Sequence, residues 1–420
     1  MRTGPVSRRA LQIFGAGFVV LTAVVVARTA RFPSRQVPAA PAPAIELDAS
    51  AAAHRLGQAI RHRTVSQPEL GDPAEFVALR AFLEDAFPLV HSRLEREAVG
   101  RGLLFTWRGR EAGARPLVLM AHLDVAPVEP GTETRWTHPP FSGMVADGFV
   151  WGRGALDDKG PALSLLEAAE HLLRDGFEPR RTVLIAFGED EEVGGFEGAA
   201  RIAATLRERH VTPEFVLDEG LPITEGVVPG VAAPLALVGL AEKGYLSLEL
   251  TVETPGGHSS MPPPETAVGI LAAALHRLER HPMPTRFSGP VRALFEHAGP
   301  EMSWPLRAVA ANLWLLRLPL ERRLLASPGT AALLRTTTAL TMVQGGVKDN
   351  ELPQQARGIA NFRIVPGDSI AAVEAHARRV VADPRVRIGR FGEQRSEPSP
   401  VSEVNTAGYR SIARSVREVL

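Results

Sequence analysis

Cysteine is absent from this 420-residue chain. Disulfides, thiolate metal sites and cysteine nucleophiles are thereby excluded, and any bound metal must rest on histidine, aspartate and glutamate. An excess of one charge is missing as well: 47 Lys and Arg balance 47 Asp and Glu. With no basic block, a nucleic-acid partner is not expected. Lysine is scarce, limited to Lys159, Lys243 and Lys348. A compact ammonium and a planar guanidinium fill different spaces, so a chain that otherwise uses arginine keeps lysine where its shape matters. The length exceeds one ordinary core and points to two domains, each able to bury an interior.

One long uncharged run is present, from Ala10 to Ala27, preceded by Arg2, Arg8 and Arg9 and closed by Arg28 and Arg31. It approaches the ~18-residue minimum for a membrane span and exceeds the roughly 7–15 residues of a signal-peptide core. Residues 1–31 are therefore expected to be a membrane anchor, with the catalytic domain outside the cytoplasm; a cleaved signal and secretion is the alternative. Residues 32–46, with Pro33, Pro38, Pro41 and Pro43, read as a stiff linker.

From about Leu47 to Leu240, helical patterns alternate with short apolar runs. The segment from Asp72 to Phe87 carries a cap at Asp72, Pro73 in the first turn and apolar Phe76, Leu79, Phe82 and Leu83 on one face. The runs PLVLMA, TVLIAF and EFVL are continuously apolar, as strands of a parallel sheet buried on both faces. Between the first two, PALSLLEAAEHLL is helical and Gly176 stops it. This is the signature of an open α/β domain. After Gly239 the pattern becomes strand, helix, two strands, helix, strand, which is two-layer α+β. The expected domains are 47–241 with 392–420, catalytic, and an inserted 242–391. The stretch between the first helix and the strand pair of that insert is broken by prolines.

Chemistry-bearing residues follow the apolar runs: His122 and Asp124 after PLVLMA, Glu191 and Glu192 after TVLIAF, Asp218 after EFVL. Asp157 and Asp158 lie in the glycine-rich GRGALDDKG between the first two. In open α/β sheets, ligands bind beyond the carboxyl ends of the strands, where these loops converge. The set is suited to divalent metal, and a carboxylate can bridge two ions about 3.5–4 Å apart. A two-metal hydrolase site is the expectation.

In order along the chain, AHLDVAPV, WTHPPFSGMVADGFVWGRGALDDKG, GEDEEVGG, FVLDEG, ETPGGHSSMPP, RTTTALTMVQGGVKDNELP and NFRIVPGD resemble the metallopeptidases that include glutamate carboxypeptidase, aminoacylase and acetylornithine deacetylase. The branch most resembled is that of carboxypeptidase S and the N-acyl-amino-acid hydrolases. The resemblance runs from roughly Glu46 to the last residue. It implies a zinc-dependent exopeptidase α/β domain with an inserted ferredoxin-like lid that often dimerises, so a homodimer is expected.

Carried over by position, the resemblance implies that His122 binds one zinc, Asp157 bridges two, Glu192 binds the second and Asp218 the first, with Co2+ or Mn2+ as substitutes. Asp124 would orient the His122 imidazole. Glu191 would be the general base, taking a proton from water whose pKa the zinc ions lower from about 15.7 to near 7 and passing it to the leaving amine. His258 of the lid would meet the tetrahedral oxyanion, and Asn350 and Arg363 the substrate carboxylate or oxyanion. The peptide between Asp157 and Asp158 is often strained or cis in this family. The implied substrates are small peptides or N-acyl amino acids with a free carboxylate; an aminoacylase or deacetylase of the same mechanism is the alternative.

One departure stands out. The family's last zinc ligand is a histidine near the end of the catalytic domain, whereas the last histidine here is His376, inside an expected lid helix. The sequence also stops within a helical pattern, with Ile412, Val416 and Val419 in phase, and reads as cut short. A catalytically dead binding protein on the same scaffold is thus the reading from another class.

Overall fold

The computed structural model describes residues 8–67 and 71–420. Two compact units are formed, one of Pro43–Gly220 and one of Met1–Ala42 with Leu221–Leu420. The catalytic and lid bounds expected from sequence divide the chain elsewhere, placing 221–241 and 392–420 with the first unit.

The N-terminal run is helix α1, Arg8–Ala30, of 23 residues. Among the described residues, however, no helix is long and apolar enough to cross a membrane, which corrects the expected span. The carboxyl end of α1 is held by the protein. Thr29 is fully buried, and the Asn312 amide donates to its Oγ1 at 3.2 Å and to the Val25 carbonyl at 3.3 Å. That end of the helix therefore packs on protein. Arg2 lies outside the described residues.

In the Pro43–Gly220 unit, helices α2 (Ala49–Arg61), α3 (Pro73–Ala86) and α4 (Pro88–Arg93) precede strands β1 (Glu95–Val99), β2 (Gly102–Trp107) and β3 (Leu117–His122). A short hairpin of β4 (Met144–Ala146) and β5 (Phe149–Trp151) follows, then α5 (Lys159–Arg174), β6 (Val183–Gly188), α6 (Ala199–Glu208) and β7 (Phe215–Leu217). The cap expected at Asp72 is made, its carboxylate accepting from Ala74 N–H. The sheet order is β1-β2-β6-β3-β7. The three apolar runs read as parallel strands, β3, β6 and β7, are parallel, while β1 and β2 add an antiparallel edge.

Because successive strand residues face opposite ways, β6 serves two cores. Ile185 and Phe187 pack with Leu79, Leu83, Leu163 and Leu166 of α3 and α5. Leu184 and Ala186 pack with Leu104, Val118 and Ile202 of β2, β3 and α6. Both layers hold the sheet so that β3 and β6 end side by side.

In the other unit, β8 (Ile223–Thr224) and β9 (Leu235–Ala236) pair ahead of β10 (Gly244–Glu253), β11 (Gly257–His258) and α7 (Ala267–Arg280). Helices α8 (Gly289–Ala298), α9 (Trp304–Ala311), α10 (Leu313–Leu324) and α11 (Pro328–Leu334) come next. Strands β12 (Thr337–Gly345), β13 (Glu351–Leu352) and β14 (Gln355–Ile364), helix α12 (Ile370–Val381), β15 (Val386–Arg390) and α13 (Ala407–Val419) complete it. The expected order of strand, helix, two strands, helix, strand appears as the antiparallel sheet β12-β14-β10-β15. Leu246, Leu250, Phe362 and Ile364 of the sheet bury against Leu271, Leu275 and Val373 of α7 and α12.

The proline-broken stretch is helical. Prolines begin α8, α9 and α11 within their first two positions, where the missing N–H has no intrahelical partner to lose.

The Phe187 ring is fully buried and packs edge-on against Phe105 with centroids 6.0 Å apart. Phe187→Ala should therefore cost about 3–5 kcal/mol of stability. Denaturant unfolding of the two proteins under identical conditions checks this; a loss below about 1 kcal/mol would mean that the site collapses around the smaller side chain.

Candidate metal centre

Strand β3 ends on His122, and β6 ends on Gly188 directly beside it in register. The Leu123 N–H donates to the Gly188 carbonyl at 2.8 Å, so the chain after β3 stays against the chain after β6. His122 is buried. Its backbone N–H donates to Asp158 Oδ2 at 3.0 Å, its Nδ1 lies 3.0 Å from the Asp124 carbonyl and 3.3 Å from Asp124 Oδ1, and its Nε2 faces a group of carboxylates. Those are Asp157 Oδ1 at 2.9 Å, Glu219 Oε1 at 3.4 Å and Glu191 Oε2 at 3.9 Å.

Asp124 is wholly buried and organises the neighbouring loop. One of its oxygens accepts from Glu191 N–H and the other from Glu192 N–H, both at 3.0 Å. The loop closes through Gly194 and Gly195, whose φ values of 110° and 67° favour glycine, with Gly194 N–H donating to the Glu191 carbonyl at 2.8 Å. The two glutamates diverge. Glu192 Oε1 accepts from Ala126 N–H at 2.9 Å, while the Glu191 carboxylate turns toward His122. Their neighbours point backward: Glu189 pairs with Arg80 through two 2.6 Å bonds, and Asp190 accepts from Glu197 N–H at 2.7 Å.

On the other side, the Asp157–Asp158 peptide is cis. Lys159, the next residue, is fully buried, and its ammonium donates to the carbonyls of Ala59 at 3.0 Å and His62 at 2.6 Å. Burial holds the Lys159 pKa down to about 7. Two carbonyls at the end of α2 thus fix the start of α5.

The titrations express the crowding. Burial opposes charge on His122, but Asp124 and Glu219 outweigh it and push its pKa up to about 12. Burial raises Glu191 to about 7, moderated by His122 and reinforced by Glu219 and Glu192. Asp158 rises to about 7, chiefly through burial. Glu192 and Asp218 are raised as well, first by burial and then by adjacent carboxylates. Partly exposed acids gathered on one buried imidazole form a site that takes a positive charge.

His122, Asp157 and Glu219 each offer a ligand atom within 4.8 Å of the others. Nitrogen and carboxylate oxygen suit zinc and related divalent ions, and no thiolate competes. The donor set fits a metal. Glu219 was not named from the sequence, where Asp218 was the expected ligand; in the structure the two are adjacent, and Asp218 Oδ1 accepts from Glu219 N–H at 3.0 Å. The signal was present in FVLDEG, where two carboxylates follow a strand just as Glu191 and Glu192 do.

The three remaining expected residues belong to the other unit. Strand β11 pairs with β13 so that His258 lies opposite Glu351, and Ser259 N–H donates to the Asn350 carbonyl at 3.2 Å, which brings His258 and Asn350 together. His258 Nδ1 lies 2.8 Å from Ser260 Oγ. Arg363 sits on β14, its guanidinium 4.8 Å from the centre of the Tyr245 ring. His376, the last histidine, has both ring nitrogens engaged, Nε2 with the His281 carbonyl at 2.8 Å and Nδ1 with Arg379 at 2.9 Å.

Residues 118–418 match the model of peptidase family M20/M25/M40. The chain is 40% identical over 371 residues to the probable carboxypeptidase S-like 2 of Dictyostelium discoideum, covering 87% of this chain and 71% of that one. It is 39% identical over 422 residues to the N-fatty-acyl-amino acid synthase/hydrolase PM20D1 of Xenopus tropicalis, covering 97% and 81%. In fold it is similar to an M20 family metallo-carboxypeptidase from Sulfolobus solfataricus, with a TM-score of 0.62 at 18% identity over 88% of this chain and 84% of that one.

Because Asp124 fixes both the imidazole and the two glutamate amides, Asp124→Asn should weaken metal binding about 10–100-fold. A competition titration with a chelator of known affinity reads this, and unchanged affinity would show that the carboxylate charge is not what holds the site.

Proposed function

The chain belongs to peptidase family M20/M25/M40, and from that premise we propose how this metal-dependent hydrolase divides its work among its own residues. Two zinc ions would be held by His122, Asp157, Glu192 and one or both of Asp218 and Glu219, with Asp157 shared between them. When bound, zinc supplies a Lewis acid that polarises an amide carbonyl and makes water acidic near neutral pH.

Glu191 is the general base. The observation that supports this is its placement: its amide is fixed by Asp124, its carboxylate is turned toward the His122 side of the acid cluster, and burial brings its pKa to about 7. A base works best with a pKa near the working pH. Glu191 takes the proton from water and returns it to the departing amine. Glu192, anchored through Ala126 N–H, is left to bind metal.

The substrate is a small peptide or an N-acyl amino acid with a free carboxylate beside the scissile amide. Support comes from Arg363, whose guanidinium lies over the Tyr245 ring and whose fork matches two carboxylate oxygens at once. Asn350 assists it, and His258, paired through β11 and β13, meets the oxyanion. Two relatives bear the names carboxypeptidase S-like and N-fatty-acyl-amino acid synthase/hydrolase, and both names imply an amide next to a carboxylate. We retain 242–391 as the lid and 47–241 with 392–420 as catalytic, because the six-element α+β pattern runs from Gly244 to Arg390. The N-terminal run is proposed to attach to lipid, on the strength of its uncharged stretch and flanking arginines.

Two measurements test this reading. Glu191→Gln should lower kcat by at least ~10²-fold while bound metal stays constant, because the residue moves protons without holding an ion; equal loss of metal would reverse the roles of Glu191 and Glu192. Arg363→Lys should cut kcat/KM on free-acid substrates by about tenfold or more despite its retained charge. If wild type hydrolyses amidated and free-acid substrates alike, the carboxylate is not recognised.

A further inference from the structure

Helix α10 carries its largest apolar side chains on the outside. Trp314 is 58% exposed, Leu318 67% and Leu315 41%, whereas Glu321 is 8% exposed and pairs with Arg317 at 2.6 Å. Surface helices of a water-soluble fold show the reverse arrangement. Trp314, Leu318 and Arg322 lie one turn apart on the outward face, and Arg323 follows. Trp304, at the start of the adjoining helix α9, is exposed too.

This face continues into α1. Helix α1 packs on α9, and Arg28 donates to the Ala311 carbonyl at 3.4 Å. Trp314 Nε1–H donates at 3.3 Å to the same Asn312 side chain that holds Thr29 and Val25. Away from that junction, Phe14, Phe18, Val19, Val20 and Val24 are exposed. At about 100° per residue these positions surround the helix rather than forming a stripe. Exposed Arg28, Arg31, Arg322 and Arg323 sit where the apolar surface ends, the arrangement that suits anionic headgroups.

We propose that the outward face of α10, together with Trp304, is a second lipid-contacting surface that lies on an anionic membrane beside α1. The inference rests on the reading of the N-terminal run as a lipid attachment. It requires no crossing of the bilayer.

A chain without cysteine lends itself to the test. Leu318→Cys, Val20→Cys and Val347→Cys variants of the full chain, Val347 being wholly exposed, are each labelled with an environment-sensitive fluorophore. They are reconstituted with vesicles of phosphatidylcholine and phosphatidylglycerol containing a nitroxide-bearing lipid. The labels at 318 and 20 should each lose about half of their emission and the label at 347 almost none, with a smaller loss at 318 when phosphatidylglycerol is omitted. Adding Trp314→Glu should reduce quenching at 318 without altering it at 20. Quenching at 20 but not at 318 overturns the α10 surface and leaves the attachment of α1 standing, whereas quenching at neither removes the attachment itself. A lipid-free change at 318 that grows with protein concentration overturns the proposal in favour of a second copy of the chain.

Discussion

Carboxylates crowded beyond the carboxyl ends of parallel strands repel one another, and the site depends on how that repulsion is met. Asp157, Glu191 and Glu219 all approach His122 Nε2 within 3.9 Å. An imidazolium is the weakest cation that can hold them, and the price appears in the neighbours, with Glu191 and Asp158 both raised to about 7. A divalent ion offsets the same repulsion with twice the charge and no burial penalty on a ring. The carboxylate arrangement thus suits a divalent ion.

Such an arrangement persists only where the backbone beneath it cannot relax. Asp124 spends both oxygens on the Glu191 and Glu192 amides, Asp158 spends one on His122 N–H, and Lys159 ties α5 to the last turn of α2. Four acids stand in a row from Glu189 to Glu192, yet Glu189 and Asp190 bind Arg80 and the Glu197 amide. Half of the apparent charge cluster is scaffold for the other half. The scarcity of lysine gains meaning here, since a guanidinium is too broad for the enclosed position that Lys159 fills.

Strands β3 and β6 and the α+β insert were legible because burial on two faces or on one leaves its period in the sequence; β7, expected to be buried on both faces, instead leaves Val216 51% and Leu217 38% exposed. That His122, Asp124, Glu191 and Glu192 would converge was legible because they follow the ends of adjacent parallel strands, while Asp157 joins them from the loop before α5. The approach of Glu219 to His122 was not, because which of two adjacent carboxylates on a loop faces the cluster depends on a backbone rotation that no local pattern encodes. Helices α8 to α11 were hidden for another reason. A proline in the first turn and a proline that breaks a helix look the same in sequence, and only packing tells them apart. The apolar run near the N-terminus announced a helix but not its docking, since the contact of Thr29 with Asn312 joins residues 283 apart.

That long-range contact determines what each unit can do. Helix α1, first in sequence, is built into the unit that contains 221–420, not into the one that carries the acid cluster. Every residue proposed to hold metal or move a proton lies within 43–220, and His258, Asn350 and Arg363 lie in the unit that also presents α1 and α10. The proposed recognition of the carboxylate and the proposed contact with lipid thus fall in one folded body, and the acid cluster in the other. Substitutions on α10 change neither the carboxylate spacing nor the hydrogen bonds of Asp124, because those are fixed by β3, β6 and the loops that follow them.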